Sequence, residues 1–425
     1  MTVSEWIGQL SLFGIKPGME RMRSLLDHLG HPEQSMQFVH VAGTNGKGTT
    51  AVLIAQALQS QGLVVGLTTS PDLGRIQERI VINGQPIADD VWEDVGQRVR
   101  RATSSLSESA TSFEILIAMA LVAFQQQGVQ WAVVEVGMGG RLDATNVIPC
   151  PALSVITPVA YDHMQYLGDR IEQIAGEKAG ILKQGTRLIL AKQPFSEGRQ
   201  VILEYAERLG IPIVEPQVYG RTDDLGAVLS VPGLSPIHVP LHGSFQADNV
   251  ATAWTAVEVL KTLGVVHSLS LVAESWAHVK WPGRFQVVHH RPLWVVDGAH
   301  NPHGVSAVVE TLRQPPWNQY RWYLVFGVLA DKAAVEMFEA LWPHMQGGSL
   351  TRVPGVRGLD PTSIVQQLGL DGRWSVQDDP EVAVQGWLSR LQDDRHAALL
   401  TTGSLALIAH LNRASIVDRL LATRH

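Results

Sequence analysis

The stretch HVAGTNGKGTT, from His40 to Thr50, follows a short apolar run and leads directly into AVLIAQALQ. A β-branched run, a glycine-rich turn and a long apolar segment predict a strand, a loop and a helix in that order. Such a loop presents backbone N–H groups and the positive end of the helix dipole to phosphate oxygens. Lys47 would reach the β and γ phosphates, and a hydroxyl group from Thr49 or Thr50 would bind magnesium.

The glycine spacing of this loop departs from the general phosphate-loop pattern G-x-x-x-x-G-K-[ST]. Gly43 stands only three residues before Gly46, and Gly48 separates Lys47 from Thr49. The spacing alone therefore leaves a purely structural glycine turn open. The strand-loop-helix context favours phosphate binding, because it places the loop at the start of a helix.

The bulk composition is that of an ordinary globular protein of two domains. The chain has 425 residues, of which 45% are apolar and 17% charged, and this length exceeds what one hydrophobic core supports. The net charge of −7, without any block of Lys or Arg, argues against a nucleic-acid partner. The sole cysteine, Cys150, excludes an internal disulfide, fits a reducing cytoplasm, and is expected to be buried.

No segment of the sequence indicates a membrane or a secretory route. The start MTVSEWIGQL lacks the basic and apolar parts of a signal peptide. The longest apolar run, from Ile115 to Phe124, is too short to span a bilayer. We therefore expect a soluble cytoplasmic protein, with no membrane partner and with a monomer as the default state.

Short apolar runs alternate with helical patterns along the chain, which predicts an α/β fold of parallel strands joined by crossover helices. A Gly/Pro-punctuated segment from Tyr219 to Pro240 predicts a minor β excursion. The chain turns near Trp281 to Arg284, where the alternation restarts. We place the domain boundary there, which gives domains of residues 1–282 and 283–425. The predicted strands are FVHVA, LVVGLTT, WAVVEVG, ALSVITPV and RLILA in the first domain, and LWVVDGAH, RWYLVFGVLA, GSLTRVP and ALLTTGS in the second.

Polar residues follow several of the predicted strands, at the edge where open α/β sheets bind ligands. Glu135 ends the strand WAVVEVG, and His163 follows the strand of ITPVAYDHMQYLG. Lys178, in IAGEKAGILK, has few charged neighbours in sequence. It is either part of a solvated Glu/Lys helix face or a lysine that carries CO2 as a carbamate and so becomes a magnesium ligand. Carboxylate, hydroxyl and carbamate oxygens suit magnesium, and one imidazole does not exclude it.

The ordered set of motifs resembles the folylpolyglutamate synthase/dihydrofolate synthase family of the Mur ligase superfamily. It is closest to the bifunctional bacterial members, and the resemblance implies a central Mur ligase-type domain, with a phosphate loop and a mostly parallel sheet flanked by helices, and a smaller Rossmann-like carboxy-terminal domain. The family's phosphate loop has the same shortened glycine spacing. The motifs, in chain order, are FGIKPGMERM, HVAGTNGKGTT, TTSPDLGRIQERI, SFEILIAMAL, VEVGMGGRLDATNV, DHMQYLG, IAGEKAGILK, WPGRF, DGAHNP, FGVLADK and LTTGS.

The resemblance implies a role for individual residues of this chain, with ATP and two magnesium ions as the bound groups. Lys178 matches the lysine that family members carry as a carbamate. The residues implied to act in catalysis are Lys47, His163, Lys178, Arg284 and His300. Those implied to bind ATP are Gly46, Lys47, Gly48, Thr49, Asn249, Arg284 and Asp297. Those implied to bind magnesium are Thr49, Ser70, Glu135, His163 and Lys178. Those implied to bind the pterin substrate or the incoming glutamate are Ile15, Lys16, Pro17, Thr111, Arg141, Leu142, Asp143, Ala144, His300 and Ser404.

This chain departs from the family pattern at three positions. Asp72 replaces the histidine of the common TSPHL motif, and Phe245 replaces a histidine that many members have before the glutamine of GSFQADN. The motif commonly written DKD is Asp331-Lys332-Ala333 here. We therefore expect no pterin contact at Asp72 and no role at position 333, and we favour a role for Asp331.

The expected activity is an ATP-dependent ligation of L-glutamate to dihydropteroate, to the γ-carboxyl group of reduced folates, or to both, through an acyl phosphate. Three alternatives stay open at this stage. The first is polyglutamylation without dihydropteroate activity, and the second is a nucleotide-gated switch that joins nothing. The third is a cell-wall Mur ligase, which the start of the phosphate loop only about 40 residues into the chain disfavours.

Overall fold

The computed structural model describes residues 1–10, 16 and 18–414. Its largest sheet belongs to the first domain and has eight strands in the order β4-β3-β2-β5-β1-β6-β7-β8. Their bounds are β1 Gln37–Ala42, β2 Val65–Thr68, β3 Ile80–Ile82, β4 Gln85–Pro86, β5 Trp131–Glu135, β6 Leu153–Ile156, β7 Arg187–Leu190 and β8 Ile213–Val214. All five strands predicted for this domain are present.

The six strands β2, β5, β1, β6, β7 and β8, which are neighbours in that order, are parallel. Their carboxyl ends therefore lie at one edge of the sheet. The exception is the hairpin of β3 and β4, which adds antiparallel to β2. Its turn is Asn83-Gly84, and both residues have positive φ, 48° and 76°. Two such residues form the type I′ turn that matches the twist of a hairpin.

Helices cover both faces of this sheet. On one face, α3 and α9 pack with α10 against residues such as Val133 and Val155. On the other face, α4, α5 and α7 pack with their neighbours against Phe38, Val134 and Ile156. The bounds are α1 Val3–Leu10, α2 Glu20–Leu29, α3 Lys47–Gln59, α4 Asp89–Thr103, α5 Ser112–Gln126, α6 Met164–Leu167, α7 Ile171–Ala179, α8 Ser196–Arg208, α9 Ser244–Thr262 and α10 Leu269–Trp276.

The predicted β excursion is confirmed as a three-stranded antiparallel sheet of β9 Gly220–Asp223, β10 Gly226–Leu229 and β11 Ile237–Val239. Its apolar side chains join the core beside Trp254 of α9. The prediction that Cys150 is buried is wrong. Its thiol is exposed and donates to the carbonyl oxygen of Gln184 at 3.2 Å, because it lies in the proline-flanked surface loop that precedes β6.

The second domain contains a six-stranded sheet in the order β12-β13-β17-β14-β15-β16, in which only β12 is antiparallel to its neighbour. The α/β fold is therefore confirmed, while the division at residues 282 and 283 stays a prediction. None of the helices in the described part of the chain has the length and apolar character needed to cross a membrane. The bounds are β12 Gln286–His290, β13 Leu293–Val296, β14 Arg321–Phe326, β15 Met345–Leu350, β16 Trp374–Val376, β17 Ala397–Thr402, α11 Pro302–Leu312, α12 Ala334–Leu341, α13 Thr362–Leu368, α14 Pro380–Leu391 and α15 Leu405–Arg413.

A buried histidine on β1 makes the stability of the fold sensitive to acid. His40 is 0% exposed, and its Nε2 lies 2.9 Å from the hydroxyl of Thr145. That hydroxyl donates to Asp143 at 2.6 Å, so Nε2 must carry the proton of a neutral ring. Burial, aided by Lys183, lowers the pKa of His40 to about 3.

We predict that His40→Gln weakens the dependence of thermal stability on pH. Below about pH 6.5 the unfolded chain gains a proton on His40 that the folded chain does not, so acid favours unfolding by about 2 kcal/mol at pH 5. This destabilisation is absent at pH 7.5 and grows as the pH falls toward 3. The midpoint temperature of unfolding, measured between pH 7.5 and 5, should fall less steeply in the variant. Equal slopes would contradict the assignment.

Candidate active site

A cleft of about 420 Å³ lies at the carboxyl edge of the large sheet, between the two domains. The first domain contributes the phosphate loop and the ends of several parallel strands, and the second contributes the loop that follows β13. The cleft brings together every residue that the sequence predicted for catalysis, ATP binding or metal binding: Gly46, Lys47, Gly48, Thr49, Ser70, Glu135, His163, Lys178, Asn249, Arg284, Asp297 and His300.

The loop between β1 and α3, together with the first turn of α3, has no room for side chains at its glycines. A Cβ atom on Gly43 would lie 1.9 Å from the hydroxyl of Thr157, and one on Gly46 would lie 2.3 Å from Oδ1 of Asn249. A Cβ atom on Gly48 would lie 2.7 Å from the ring of Trp281. The first two glycines also have positive φ, 143° and 88°. Glycine is therefore required both for the backbone conformation and for the close packing.

Lys47 begins α3 and stays close to the loop. Its amine donates to the carbonyl oxygen of Thr44 at 3.0 Å. Thr44 is fixed in turn, because its N–H donates to Pro158 and its hydroxyl donates to Ala160. The loop therefore holds a cation beside the free N–H groups at the start of a helix, an arrangement that binds phosphate.

Glu135 ends β5 beside this loop. Its carboxylate is 5% exposed and accepts the N–H of Ser70 at 3.0 Å. Burial raises the pKa of Glu135, and the nearby cations Lys47 and Arg284 oppose that effect. A buried carboxylate next to the hydroxyls of Ser70 and Thr49 provides oxygen ligands of the kind that magnesium prefers.

Lys178 lies below the phosphate loop. It is 4% exposed, and its amine donates to the carbonyl oxygen of Gly43 at 2.8 Å. The alternative of a solvated Glu/Lys helix face is therefore wrong for Lys178. Burial, and then the charge of Lys47, lowers the pKa of Lys178 to about 7. His163 borders the same cleft in a left-handed conformation, with φ 51°, and burial lowers the pKa of its ring to about 4.

The candidate metal ligands of the cleft do not form a preassembled cluster of acidic and imidazole side chains. Within residues 1–10, 16 and 18–414, no three His, Cys, Asp or Glu side chains cluster in an arrangement that could hold a metal ion. The candidate ligands that line the cleft are instead the Glu135 carboxylate, the His163 ring and the hydroxyls of Thr49 and Ser70. A further anionic oxygen, such as a carbamate on Lys178, would complete a set suited to magnesium.

The second domain contributes a rigid turn around Asp297. One carboxylate oxygen accepts the N–H of Phe285, and the other accepts the N–H of Ala299, both at 2.7 Å. These bonds join the turn that carries Arg284 to the loop that carries His300. The ring of His300 is 2.8 Å from the carbonyl oxygen of Gly298. Asp297 therefore fixes the positions of the two side chains that the second domain presents to the cleft.

Sequence reasoning assigned no role to Asp162 beyond its position before His163, and it missed Asn301 and Lys332. Asp162 accepts hydrogen bonds from Lys332 at 2.5 Å and from Asn301 at 3.0 Å, both from the second domain. Burial raises the pKa of Asp162, but the contacts with His300, His163 and Lys332 outweigh it and hold that pKa well below its usual range. Asp331, which the sequence favoured over its neighbours, is exposed.

Most residues predicted to bind the pterin or glutamate lie outside the residues that line this cleft. Thr111 caps α5 by accepting the N–H of Glu114, and Ser404 caps α15 by accepting the N–H of Ala406. Lys16 is exposed, and Ile15 and Pro17 lie outside the described residues.

The loop after β5 holds four more of these predicted residues. The Asp143 carboxylate accepts N–H groups of Met138 and Thr145 inside its own loop. Arg141 pairs with Glu177 at 2.7 Å. The side chain of Leu142 is 38% exposed, and Ala144 is buried.

Phe245 is one of the three positions at which this chain departs from the family pattern. Its side chain lines the cleft and packs against the apolar core of the second domain. Asp72 forms an ion pair with Arg79 at 2.7 Å. That pair gives Asp72 a local partner, and the absence of a pterin contact at Asp72 stays a prediction.

Comparison with known families defines the class of this protein. Residues 41–257 match the Mur ligase middle domain, and residues 283–405 match the Mur ligase glutamate ligase domain. The two matched regions contain the phosphate loop and the Asp297 turn, respectively. The fold and the cleft are therefore those of a Mur-type ligase.

Similar proteins define the family more narrowly. The dihydrofolate synthase/folylpolyglutamate synthase of Bacillus subtilis is 37% identical over 352 residues, which cover 79% of this chain and 81% of that protein. Folylpolyglutamate synthase of Mycobacterium tuberculosis, solved with ADP and AMPPCP, superimposes with a TM-score of 0.87 at 31% identity, covering 100% of this chain and 98% of that chain. Escherichia coli FolC, solved with DHPP and ADP, has a TM-score of 0.86 at 27% identity, covering 100% and 99%. This chain belongs to the folylpolyglutamate synthase/dihydrofolate synthase family.

We predict that Gly46→Ala weakens ADP binding by on the order of tenfold or more, because the new methyl group displaces the loop from Asn249. Gly62→Ala is the matched control. Gly62 also has positive φ, 80°, and follows the other end of α3, but its Cβ would meet nothing within 4 Å. Calorimetric titration with ADP should show a loss only at Gly46, whereas thermal unfolding should show that both variants are destabilised by about 1 kcal/mol or more.

Proposed function

We propose that this protein is an ATP-dependent amide ligase that adds L-glutamate to dihydropteroate, to the γ-carboxyl group of reduced folates, or to both. The reaction proceeds through an acyl phosphate. The protein is proposed to act as a monomer in the cytoplasm. Its single cysteine fits the reducing conditions of that compartment. The observation that carries the proposal is one cleft in which a phosphate loop faces Arg284 and His300 of a second domain.

The first step is transfer of the γ-phosphoryl group of ATP to the carboxylate of the pterin substrate. Catalysis of this step depends on placing the reactants and neutralising charge on the transferring oxygens. Lys47 and the N–H groups at the start of α3 bind the phosphates from one side. Arg284 faces them from the second domain, and Asn249 orients the loop through its contact with Gly46.

Magnesium supplies charge neutralisation to the phosphate groups when it is bound. Thr49, Ser70 and Glu135 would hold one ion, and Glu135, His163 and a carbamate on Lys178 would hold a second. The buried Glu135 carboxylate, which already orders the Ser70 backbone, fits this role. The position of Lys178 at the lining of the cleft, with its amine buried beside Gly43, is compatible with a modified lysine.

The second step joins the amino acid to the activated acid. The glutamate nitrogen attacks the acyl carbon, the bond to the phosphate oxygen breaks, inorganic phosphate leaves and the nitrogen loses a proton. His300 is proposed to bind the glutamate, with Ser404 nearby on the same domain. Because the cleft has walls from both domains, closure excludes the water that would hydrolyse the acyl phosphate.

The pterin substrate is proposed to contact the edge of the first domain, at Thr111, the loop from Arg141 to Ala144, and the segment Ile15 to Pro17. The caps and ion pairs found for Thr111, Arg141 and Asp143 hold this edge in a fixed shape. Fixed loops beside a cleft are suited to recognising a rigid heteroaromatic ring.

A direct assay distinguishes the two possible substrate ranges. The purified protein is incubated with ATP, magnesium and L-glutamate, and with either dihydropteroate or a reduced folate monoglutamate, and products are identified by mass. We expect a product that is heavier than the acid substrate by one or more glutamyl units, together with ADP and phosphate. Turnover of the folate without turnover of dihydropteroate would show that polyglutamylation is the only activity. ATP hydrolysis at a rate that neither acid changes would contradict the proposal.

We predict that Lys178→Ala lowers ligase activity by on the order of 10²-fold or more, the typical effect of losing an electrostatic contact at a reacting centre. Added acetate should restore part of this activity by replacing the carbamate oxygens. Lys178→Arg is the control, because its guanidinium fills the space and acetate should not rescue it. Independently of activity, ¹³C NMR of the wild-type protein with ¹³CO₂ should show a carbamate resonance that Lys178→Ala lacks. Full activity in the alanine variant would remove the carbamate from the mechanism.

A further inference from the structure

Asp162 of the first domain contacts several side chains of the second domain. It follows β6 at the carboxyl edge of the large sheet and is 8% exposed. Its own domain gives it the N–H of His163 at 2.8 Å. From the second domain, its carboxylate accepts hydrogen bonds from the amine of Lys332 at 2.5 Å and from the side-chain amide of Asn301 at 3.0 Å. The Nε2 atom of His300 lies 3.5 Å from the same carboxylate. One carboxylate therefore contacts three side chains across the domain junction.

These three side chains belong to two different loops of the second domain. His300 and Asn301 follow β13, whereas Lys332 follows β14, and both strands are parallel to β17 between them. The two loops therefore leave the sheet at the same edge. By contacting both, Asp162 fixes the edge of the second domain at two separate points, which restricts rotation as well as translation.

Asn301 also connects Asp162 to the phosphate loop through hydrogen bonds. Its side-chain amide exchanges two hydrogen bonds with Asn45, each at 3.1 Å, while it also donates to Asp162. Its oxygen additionally accepts the N–H of Gly304 and so caps α11. The amide thus uses all its hydrogen-bonding groups in one orientation. Its position is therefore determined jointly by the phosphate loop and by Asp162.

Stability alone is a poor explanation for the Asp162–Lys332 pair. Both side chains are almost fully buried, 6% and 8% exposed, and the removal of two charges from water offsets most of the attraction between them. Such a pair fixes geometry more effectively than it stabilises a fold. The geometry fixed here is that of His300, the second-domain side chain that faces the cleft beside the pair.

We propose that Asp162 is a positioning residue that couples domain closure to the placement of His300, and thereby to capture of the incoming amino acid. The inference rests on the proposed ligase function. In this proposal Asp162 does not itself act on a substrate. It acts through Lys332 and Asn301, which bring the loop of His300 against the first domain. Acyl-phosphate formation depends on the phosphate loop and on Arg284, whose turn is held by Asp297 and not by Asp162. Attack by the amino acid depends on the docking of the His300 loop through Asp162.

The test separates the two chemical steps by using hydroxylamine as a second nucleophile. Hydroxylamine is small and needs no amino-acid site: its nitrogen attacks the acyl carbon, phosphate leaves, one proton is lost and a hydroxamate forms. The variants are Asp162→Asn, Lys332→Met and the double variant. Asp394→Asn, which removes the same charge from the exposed pair with Arg321 in the second domain, is the matched control.

We expect Asp162→Asn to lower glutamate ligation about 10- to 100-fold, the effect of misplacing a reacting group by about 1 Å, with a raised KM for L-glutamate. Hydroxamate formation at saturating hydroxylamine should stay within about threefold of wild type. Lys332→Met should show the same split, and the double variant should be no worse than either single variant, because one interaction is lost in all three. Asp394→Asn should change neither product.

Equal loss of amide and hydroxamate in Asp162→Asn would overturn the inference, as would losses that multiply in the double variant. The double variant also decides the matter if Asp162→Asn alone fails to fold, because it buries no unpaired lysine charge. If wild type forms neither the amide nor the hydroxamate, the proposed ligase function fails instead. The two failures are therefore distinguishable.

Discussion

The phosphate loop is packed against three parts of the chain so closely that its glycines cannot carry a Cβ atom. Thr157 after β6, Asn249 on α9 and Trp281 in the connection between domains each lie where such an atom would fall. The loop therefore fixes the mutual positions of the sheet edge, the helix and the chain entering the second domain. Because that connection leads within a few residues to Arg284, the geometry of nucleotide binding also determines where the second domain begins to contribute to the cleft.

The charges of the cleft follow from the same packing. Lys47, Lys178 and Arg284 border it, and burial lowers the pKa of both Lys178 and Arg284. Burial also raises the pKa of Glu135. Buried groups of both signs are costly unless a ligand or partner compensates them. A polyphosphate with bound cations would compensate the lysines, the arginine and the carboxylate at once, which is why these side chains fit a nucleotide-dependent ligase better than a structural ion-pair network.

The local part of this site could be predicted from the sequence, and the part that depends on docking of the domains could not. The glycine loop and Glu135 follow apolar strand patterns, so the sequence predicts that both lie at the carboxyl edge of the sheet. The Asn83-Gly84 hairpin and the Thr111–Glu114 cap had recognisable signals, an Asn-Gly pair and a Thr-x-x-Glu spacing, that went unused. By contrast, Asp162 and Lys332 are far apart in sequence, and nothing local indicates that they meet.

The shortened glycine spacing of the loop has a structural consequence that joins these observations. With Gly43 only three residues before Gly46, the loop has two residues between these glycines, and the side-chain amide of one of them, Asn45, bonds to Asn301 of the second domain. A longer loop would place more backbone between the nucleotide and the second domain. The short loop instead puts a domain contact immediately beside Lys47. Movement of the loop on nucleotide binding would therefore reach Asn301 directly, and through it Asp162 and the loop of His300. The bonds between Asn45 and Asn301 therefore give the phosphate loop a direct contact with the loop of the second domain that carries His300.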